Sequence, residues 1–305
     1  MLYLKYYGLK ENPFQDTVDP TFFWLGEAQS ESIAILMFGI EKTNGITLLT
    51  GDIGVGKTLL VTYVAGLLND KFNIAKIDDS NLTIQEFLLY LADSFNMPIS
   101  FTDKKSFFWY IHEEYNKNRK RLLIIIDEAH QTNKRLLDDL NLMARIKRDN
   151  EPLISILFVG QKPLIDLVNT IKPDAYNQKD PIICHLRPLT KDETGDYIKH
   201  RLKIAGTERN FFDLGAIDAI SHYSRGIPRK INMICDHALM IGYSSDLKEV
   251  KNSVIEECAK DLQIQNKFFD KEGDLKIETS RETVAKRFCK ITKQKLFNWS
   301  FKTQI

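Results

Sequence analysis

The sequence predicts a doubly wound α/β unit, with helices on both faces of a parallel sheet, followed by a small all-helical unit. Apolar strand-like runs alternate with helix-period segments through the first 190 residues. Most of those runs lack polar alternation, as expected of strands covered on both faces. From about residue 190 the strands stop while helical periods continue, which separates the second unit from the first. A chain of 305 residues also exceeds one ordinary core, so two packed units and a tail are expected.

The strand candidates are ITLLT (46–50), NIAKI (73–77), LLIII (122–126), SILFV (155–159) and IICHL (182–186). Helix candidates lie between them at about 57–70, 84–96, 104–119 and 133–148. LTKDETGDYIKHRLKIAG then opens with Thr190 three residues before Glu193, the spacing of a capping box, and ends on Gly206. Further helical stretches follow at about 214–223, 228–242 and 247–263. Beyond residue 265 the periodicity decays, and neither an internal repeat nor a low-complexity block is present. The resulting division is an N-terminal segment (1–45), an α/β core (46–189), a helical unit (190–265) and a tail (266–305).

Hydrophobic content of 43% and charged content of 27% are those of a soluble globular protein. A net charge of +1 and a pI near 7.6 argue against wholesale polyanion binding, so any basic patch must be local. Cys184, Cys235, Cys258 and Cys289 show neither C-x-x-C pairing nor metal-ligand spacing, which suits a reducing, cytoplasmic setting. No apolar run approaches the roughly 18 to 20 residues of a membrane-spanning helix. The start, MLYLKYYGLKENPF, lacks the basic-apolar-small order of a signal peptide.

The motif with the most specific chemistry is GDIGVGKTLL, between a predicted strand and a predicted helix. Gly51, Gly56, Lys57 and Thr58 satisfy G-x-x-x-x-G-K-[ST]. Glycines let consecutive backbone N–H groups turn inward around phosphate oxygens, and the following helix adds its positive end. The nucleotide-binding set is therefore Gly51, Asp52, Ile53, Gly54, Val55, Gly56, Lys57, Thr58 and Leu59. Lys57 is expected to reach the β- and γ-phosphates of ATP, and Thr58 to offer its hydroxyl to Mg²⁺. LLIIIDEAH supplies a metal-side carboxylate, Asp127, and a carboxylate to polarise the attacking water, Glu128, at a strand's C-terminal end.

GDIGVGKT and IIIDEAH, with ILFVGQ, HLRPLTKDETGDYIKHRLKIAG, SRGIPRKIN and the opening YYGLKENPF and VDPTFFWL, resemble the AAA+ ATPases of the general secretion pathway protein A (ExeA) type. The resemblance runs from about residue 3 to 245 and rests on the combination of motifs, because Walker motifs alone are generic. It implies a P-loop NTPase whose α/β core is followed by a small helical lid, Mg²⁺-dependent hydrolysis of ATP to ADP and phosphate, and a homo-oligomer with sites between neighbours. It also implies Gln161 as sensor 1, Arg229 as sensor 2, and an adenine-side N-terminal segment with apolar contact from Phe14, Ile40 or their neighbours.

Two departures qualify what the resemblance implies. Where similar proteins commonly carry an arginine that acts on a neighbour's ATP, AYNQKDPIICHLRPL places Lys179, a point charge in place of a planar fork. Lys179 as a weaker finger, Arg145 or Arg148 in its place, or slow, partner-activated hydrolysis all stay open; Arg187 reads as structural or lid-contacting. The family often continues into a membrane helix and a periplasmic wall-binding region, and neither is read here. Residues 281–305 instead hold seven Lys or Arg against Glu282, a net of about +6, interleaved with Phe288, Phe297, Trp299 and Phe301. Such a tail could meet nucleic acid, an anionic membrane or a partner groove, or remain a solvated tail. Two functional classes follow: a cytoplasmic ATPase, alternatively peripheral at the inner face of the inner membrane, serving a secretion or pilus machine with its partner proteins; or a DNA-associated regulator akin to transposition target-selection ATPases.

Overall fold

The apolar runs form one parallel sheet in a computed structural model of the chain, which describes residues 2–42, 45–78, 82–95, 104–148, 151–169, 181–262 and 264. In chain order the elements are α1 (Leu2–Tyr7), α2 (Glu27–Lys42), β1 (Ile46–Thr50), α3 (Lys57–Leu68), β2 (Phe72–Ile77), α4 (Ile84–Ser94), α5 (Lys104–Asn118), β3 (Arg121–Ile126), α6 (Lys134–Met143), β4 (Lys147–Arg148), β5 (Glu151–Pro152), β6 (Ile154–Gly160), α7 (Pro163–Asn169), β7 (Ile182–His185), α8 (Lys191–Ile204), α9 (Leu214–Ser224), α10 (Pro228–Ser244) and α11 (Asn252–Asp261). They group into two compact units, one of Val18–Pro188 and one of Met1–Thr17 with the chain from Leu189 onward.

The α/β unit is built on five parallel strands in the order β2-β3-β6-β1-β7. Its strands are the Val-, Ile- and Leu-rich runs, and β6 is buried along its whole length, which explains why no polar alternation marks it. Leu48, Ile124, Ile126, Ile156 and Phe158 join Phe87 and Leu91 of α4, Phe107 of α5, and Leu137 and Leu140 of α6 in one apolar cluster. Helix α2 packs against β1, β6 and β7. The register decides where chemistry can collect: Thr50 of β1 is level with Gly160 of β6, and Phe158 of β6 is level with Ile126 of β3. The residues that follow these strands, Gly51, Asp127 and Gln161, therefore leave the sheet along one edge, the edge where ligands of open parallel sheets bind.

The five strands and most helices lie within a residue or two of the positions read from the sequence. The helix expected over 133–148 is shorter: α6 closes at Met143, and Arg148 pairs with Glu151 in the two-stranded β4–β5 ribbon. Asp149-Asn150, a pair of turn-forming residues between the two short strands, is the sequence signal for that break. The stretch expected as helix over 247–263 starts late, at Asn252, because Val250 instead bridges Phe212. Helices α2 and α7 and the short α1 were not among the sequence expectations.

In the other unit, α8 starts on the expected capping box. The Glu193 amide donates to Thr190 Oγ1 at 3.3 Å, and the Thr190 amide donates to Glu193 Oε2 at 2.8 Å. Gly226 (φ +70°) passes so close to the Leu189 backbone that an added Cβ would collide with its carbonyl, while the Leu189 amide donates to Gly226 O at 2.8 Å. The first 17 residues are tied to these helices. The Tyr3 hydroxyl donates to Asp236 Oδ1 of α10 at 2.5 Å, Arg201 of α8 donates to the carbonyls of Pro13 and Gln15, and Phe14 packs edge-on against Phe212. Phe14 is thus buried in the helical unit, and Ile40 is fully buried in α2, so both side chains expected at the adenine serve as core.

Candidate nucleotide site

Helix α3 begins directly after a turn that only glycine makes cheaply. Gly54 (φ +81°) and Gly56 (φ +99°) both sit in the left-handed region. At Gly51 the constraint is space, since a Cβ would stand 2.8 Å from the Leu186 carbonyl. Val55 is buried within the turn, and α3 begins directly after it at Lys57, the strand–loop–helix order in which loop amides and a helix N-terminus can face phosphate.

Lys57 is only 6% exposed, and its Nζ donates to the carbonyls of Gly51 (2.9 Å) and Asp52 (3.0 Å). Burial lowers its pKa from the ordinary lysine value; Glu128, Asp127 and Asp52 pull the other way and keep the charge supported. The next residue, Thr58, donates its hydroxyl to Asp127 Oδ2 at 2.9 Å across 69 positions of sequence. Asp127 is buried, accepts the Glu128 amide on Oδ1 at 3.0 Å, and lies 3.9 Å from Lys76 Nζ of β2.

Glu128 occupies a left-handed backbone conformation (φ 49°), uncommon for a residue with a side chain, and its carboxylate is about half exposed at 48%. His130 follows in a 3-10 turn over Ala129–Gln131, with Nδ1 at 3.4 Å from Glu128 Oε2 and Nε2 at 3.2 Å from Gln161 Nε2.

The structure therefore brings Gly51–Leu59, Asp127, Glu128 and Gln161 to one edge of the sheet. The loop tip, Ile53, is exposed. Arg229 belongs to the other unit, where its Nε and Nη2 both reach Asp16 Oδ2 at 3.1 and 2.9 Å. Lys179 and the basic tail lie outside the described residues. Arg145 follows α6, Arg148 lies in β4, and Arg187 is near Glu27 (3.7 Å) within the α/β unit. The histidine of IIIDEAH and the lysine of NIAKI were not singled out by sequence. The signal for His130 was its spacing two residues after Glu128, whereas Lys76 is recognisable only from the β2–β3 pairing.

The geometry agrees with what comparison with known proteins finds. Residues 40–168 match the AAA domain family, a span that holds the phosphate-type loop, Asp127, Glu128 and Gln161. General secretion pathway protein A of Aeromonas hydrophila is 30% identical over 250 residues, which is 80% of this chain and 45% of that protein. Residues 40–168 thus match an AAA domain, and the α/β unit has the AAA+ fold. An uncharacterised HTH-type transcriptional regulator of Methanocaldococcus jannaschii is 31% identical over 159 residues, 51% of this chain and 38% of that one. The chain thus spans less than half the length of these two curated relatives. Among solved structures, Drosophila ORC bound to DNA (TM-score 0.60, 18% identity, 87% of this chain and 68% of that one) and Cdc6p of Pyrobaculum aerophilum (TM-score 0.56, 15% identity, 81% and 70%) share the AAA+ fold.

The donor set suits Mg²⁺. Thr58 Oγ1 and Asp127 Oδ2 are hard oxygen donors already side by side, and among the described residues no cluster of three or more His, Cys, Asp or Glu forms an all-protein cage. Mg²⁺ is ordinarily held in this sparse way, by one or two protein oxygens together with water and phosphate.

Proposed function

We propose that the chain binds ATP with Mg²⁺ at Gly51–Leu59 and hydrolyses it to ADP and phosphate, using the cycle to drive conformational change in a larger assembly. The observation that carries this reading is the 2.9 Å contact between Thr58 and Asp127, next to a buried Lys57 ammonium in a glycine-built turn. Neither a structural turn nor a solvated acidic pair accounts for a buried lysine, a hydroxyl and a carboxylate converging from β1–α3 and β3.

In this reading the loop amides and Lys57 hold the β- and γ-phosphates, and Thr58 and Asp127 hold the metal. Mg²⁺ supplies neutralisation of the charge that gathers on the phosphate oxygens. Glu128, exposed and turned outward by its left-handed backbone, orients the attacking water, and Gln161 senses the γ-phosphate. Arg229 and Lys179 are assigned to sensing and to trans-activation by family pattern alone.

The assembly is assigned to secretion because of the similarity to general secretion pathway protein A, with homo-oligomerisation and a cytoplasmic or inner-face location as parts of the same proposal. A DNA-associated regulator is the second reading, favoured by the net charge of about +6 over residues 281–305. ATPase rate in Mg²⁺ and in EDTA, with and without double-stranded DNA, tests both. Turnover that requires Mg²⁺ is expected. Lys57→Ala is expected to weaken ATP binding by about 10- to 100-fold, the worth of a charged hydrogen-bonding group. Equal ATP affinity in Lys57→Ala would refute the site, and salt-sensitive stimulation by DNA would move the assignment to the second reading.

A further inference from the structure

We propose that His130 is a positioning residue for hydrolysis, coupling the carboxylate of Glu128 to the amide of Gln161 through the two nitrogens of its imidazole. The proposal rests on the reading of Glu128 as the water-orienting group, and it adds a residue that lies outside the phosphate loop and the acidic pair.

The ring is wedged in a place built for it. It is only 15% exposed on its side chain, and it stands against the end of β6, where a Cβ at Gly160 would come within 3.2 Å of Nδ1 and 3.3 Å of the His130 amide nitrogen. On one side Nδ1 lies 3.4 Å from Glu128 Oε2, an ion-pair distance without hydrogen-bond geometry; on the other, Nε2 lies 3.2 Å from Gln161 Nε2. Nitrogen facing nitrogen fixes the direction of that second contact. With the amide in this orientation Gln161 donates its hydrogen and Nε2 is the accepting nitrogen. The single ring proton then sits on Nδ1, on the side of Glu128, where it can be donated to the carboxylate.

A half-exposed glutamate otherwise carries its full rotamer freedom, and orienting water costs that freedom at every turnover. A buried ring whose Nδ1 faces the carboxylate at 3.4 Å, within reach of a hydrogen bond on a small adjustment, reduces the cost. Because Gly160 is level with Thr50, the strand that carries Gln161 runs beside the strand that enters the nucleotide loop. Any rotation of the Gln161 amide toward bound phosphate breaks its bond to Nε2 and changes the hold on Glu128. Sensing and water orientation are thereby linked through one side chain.

The test is steady-state ATPase kinetics with a separate measurement of Mg-ATP affinity for His130→Ala, His130→Asn, His130→Gln, Gln161→Ala, the His130→Ala/Gln161→Ala pair and Glu128→Gln. His130→Ala is expected to lower kcat by about 10- to 100-fold with ATP affinity within about 3-fold of the parent, since orientation and not binding is lost. The asparagine amide nitrogen falls near the Nδ1 position, so His130→Asn should recover most of kcat, whereas His130→Gln, whose nitrogen falls near Nε2, should not. The double variant should be no slower than the slower single, as for residues acting as a unit. A folded His130→Ala with kcat within about 2-fold of the parent, Asn no better than Gln, or multiplicative losses in the double variant would each overturn the proposal. If the alanine variant does not fold, the Asn–Gln contrast decides alone. Glu128→Gln separates the two levels: parent-rate turnover there removes the reading of Glu128 itself, whereas an inactive Glu128→Gln beside an unaffected His130→Ala removes only the role of His130.

Discussion

Lys57 carries its charge at a cost. With its ammonium buried, the folded chain holds that proton less tightly than the unfolded chain does, so between the lowered value and the ordinary lysine range the unfolded state binds more protons. Stability therefore rises with pH across that window and is not helped by the charge at neutral pH. An apolar side chain of similar length should tolerate the position better than the lysine does. Lys57→Met is expected to melt no lower than the parent in a thermal scan while losing the upward shift that ATP gives the parent, the pattern of a residue kept for binding at the expense of stability. A parent-sized ATP shift in Lys57→Met would contradict it. Glu128 carries a cost of another kind, a left-handed backbone φ of 49°.

Among the elements, α8 shows local chemistry setting a boundary. Thr190→Ala removes the hydroxyl that accepts the Glu193 amide, while the Thr190 amide can still donate to the Glu193 carboxylate, and urea unfolding should register a loss of about 1 kcal/mol. The docking of α1 on α10 is of a different kind. Asp236 is buried, which raises its carboxyl pKa, and hydrogen bonds from Tyr3 and Asn12 only partly offset the effect. A folded value above the unfolded one means that the native state binds more protons in the interval between them, so stability declines as pH rises from the ordinary aspartate range through the raised value. Denaturant midpoints followed across mildly acidic pH should show that decline in the parent and a flatter profile in Asp236→Asn.

Why some of this was legible is physical. The parallel strands are uninterrupted apolar runs, and the starts of α3 and α8 carry glycine and capping-box signals, so their positions could be read from local chemistry. The helix α2 was not read because its sequence, EAQSESIAILMFGIEK, buries Leu36 and Ile40 but leaves Phe38 exposed, which blurs the apolar stripe. The anchoring of Tyr3 and Arg201 spans roughly two hundred positions, a pairing that no local pattern encodes. In the site, motif spacing pointed to Lys57, Thr58 and Asp127 as one set, and the fold places the Thr58 hydroxyl against the Asp127 carboxylate. His130 was passed over because its contact with Gln161 joins positions 31 residues apart, which no local pattern encodes.

At the scale of the whole molecule, the chain joins a nucleotide-binding α/β unit to a helical unit that includes its own first 17 residues. Asp16 and Arg229 are paired within that helical unit. Among the described residues no helix is long and apolar enough to cross a membrane. In the proposed function ATP is held at Gly51–Leu59 and cleaved with the help of Glu128. The most direct test mixes purified Glu128→Gln with radiolabelled ATP and Mg²⁺, and measures bound nucleotide and released phosphate in the same sample. ATP should be bound as tightly as by the parent, with phosphate release slowed by about 100-fold or more, the range of a lost general base. Phosphate release at the parent rate would contradict the claim.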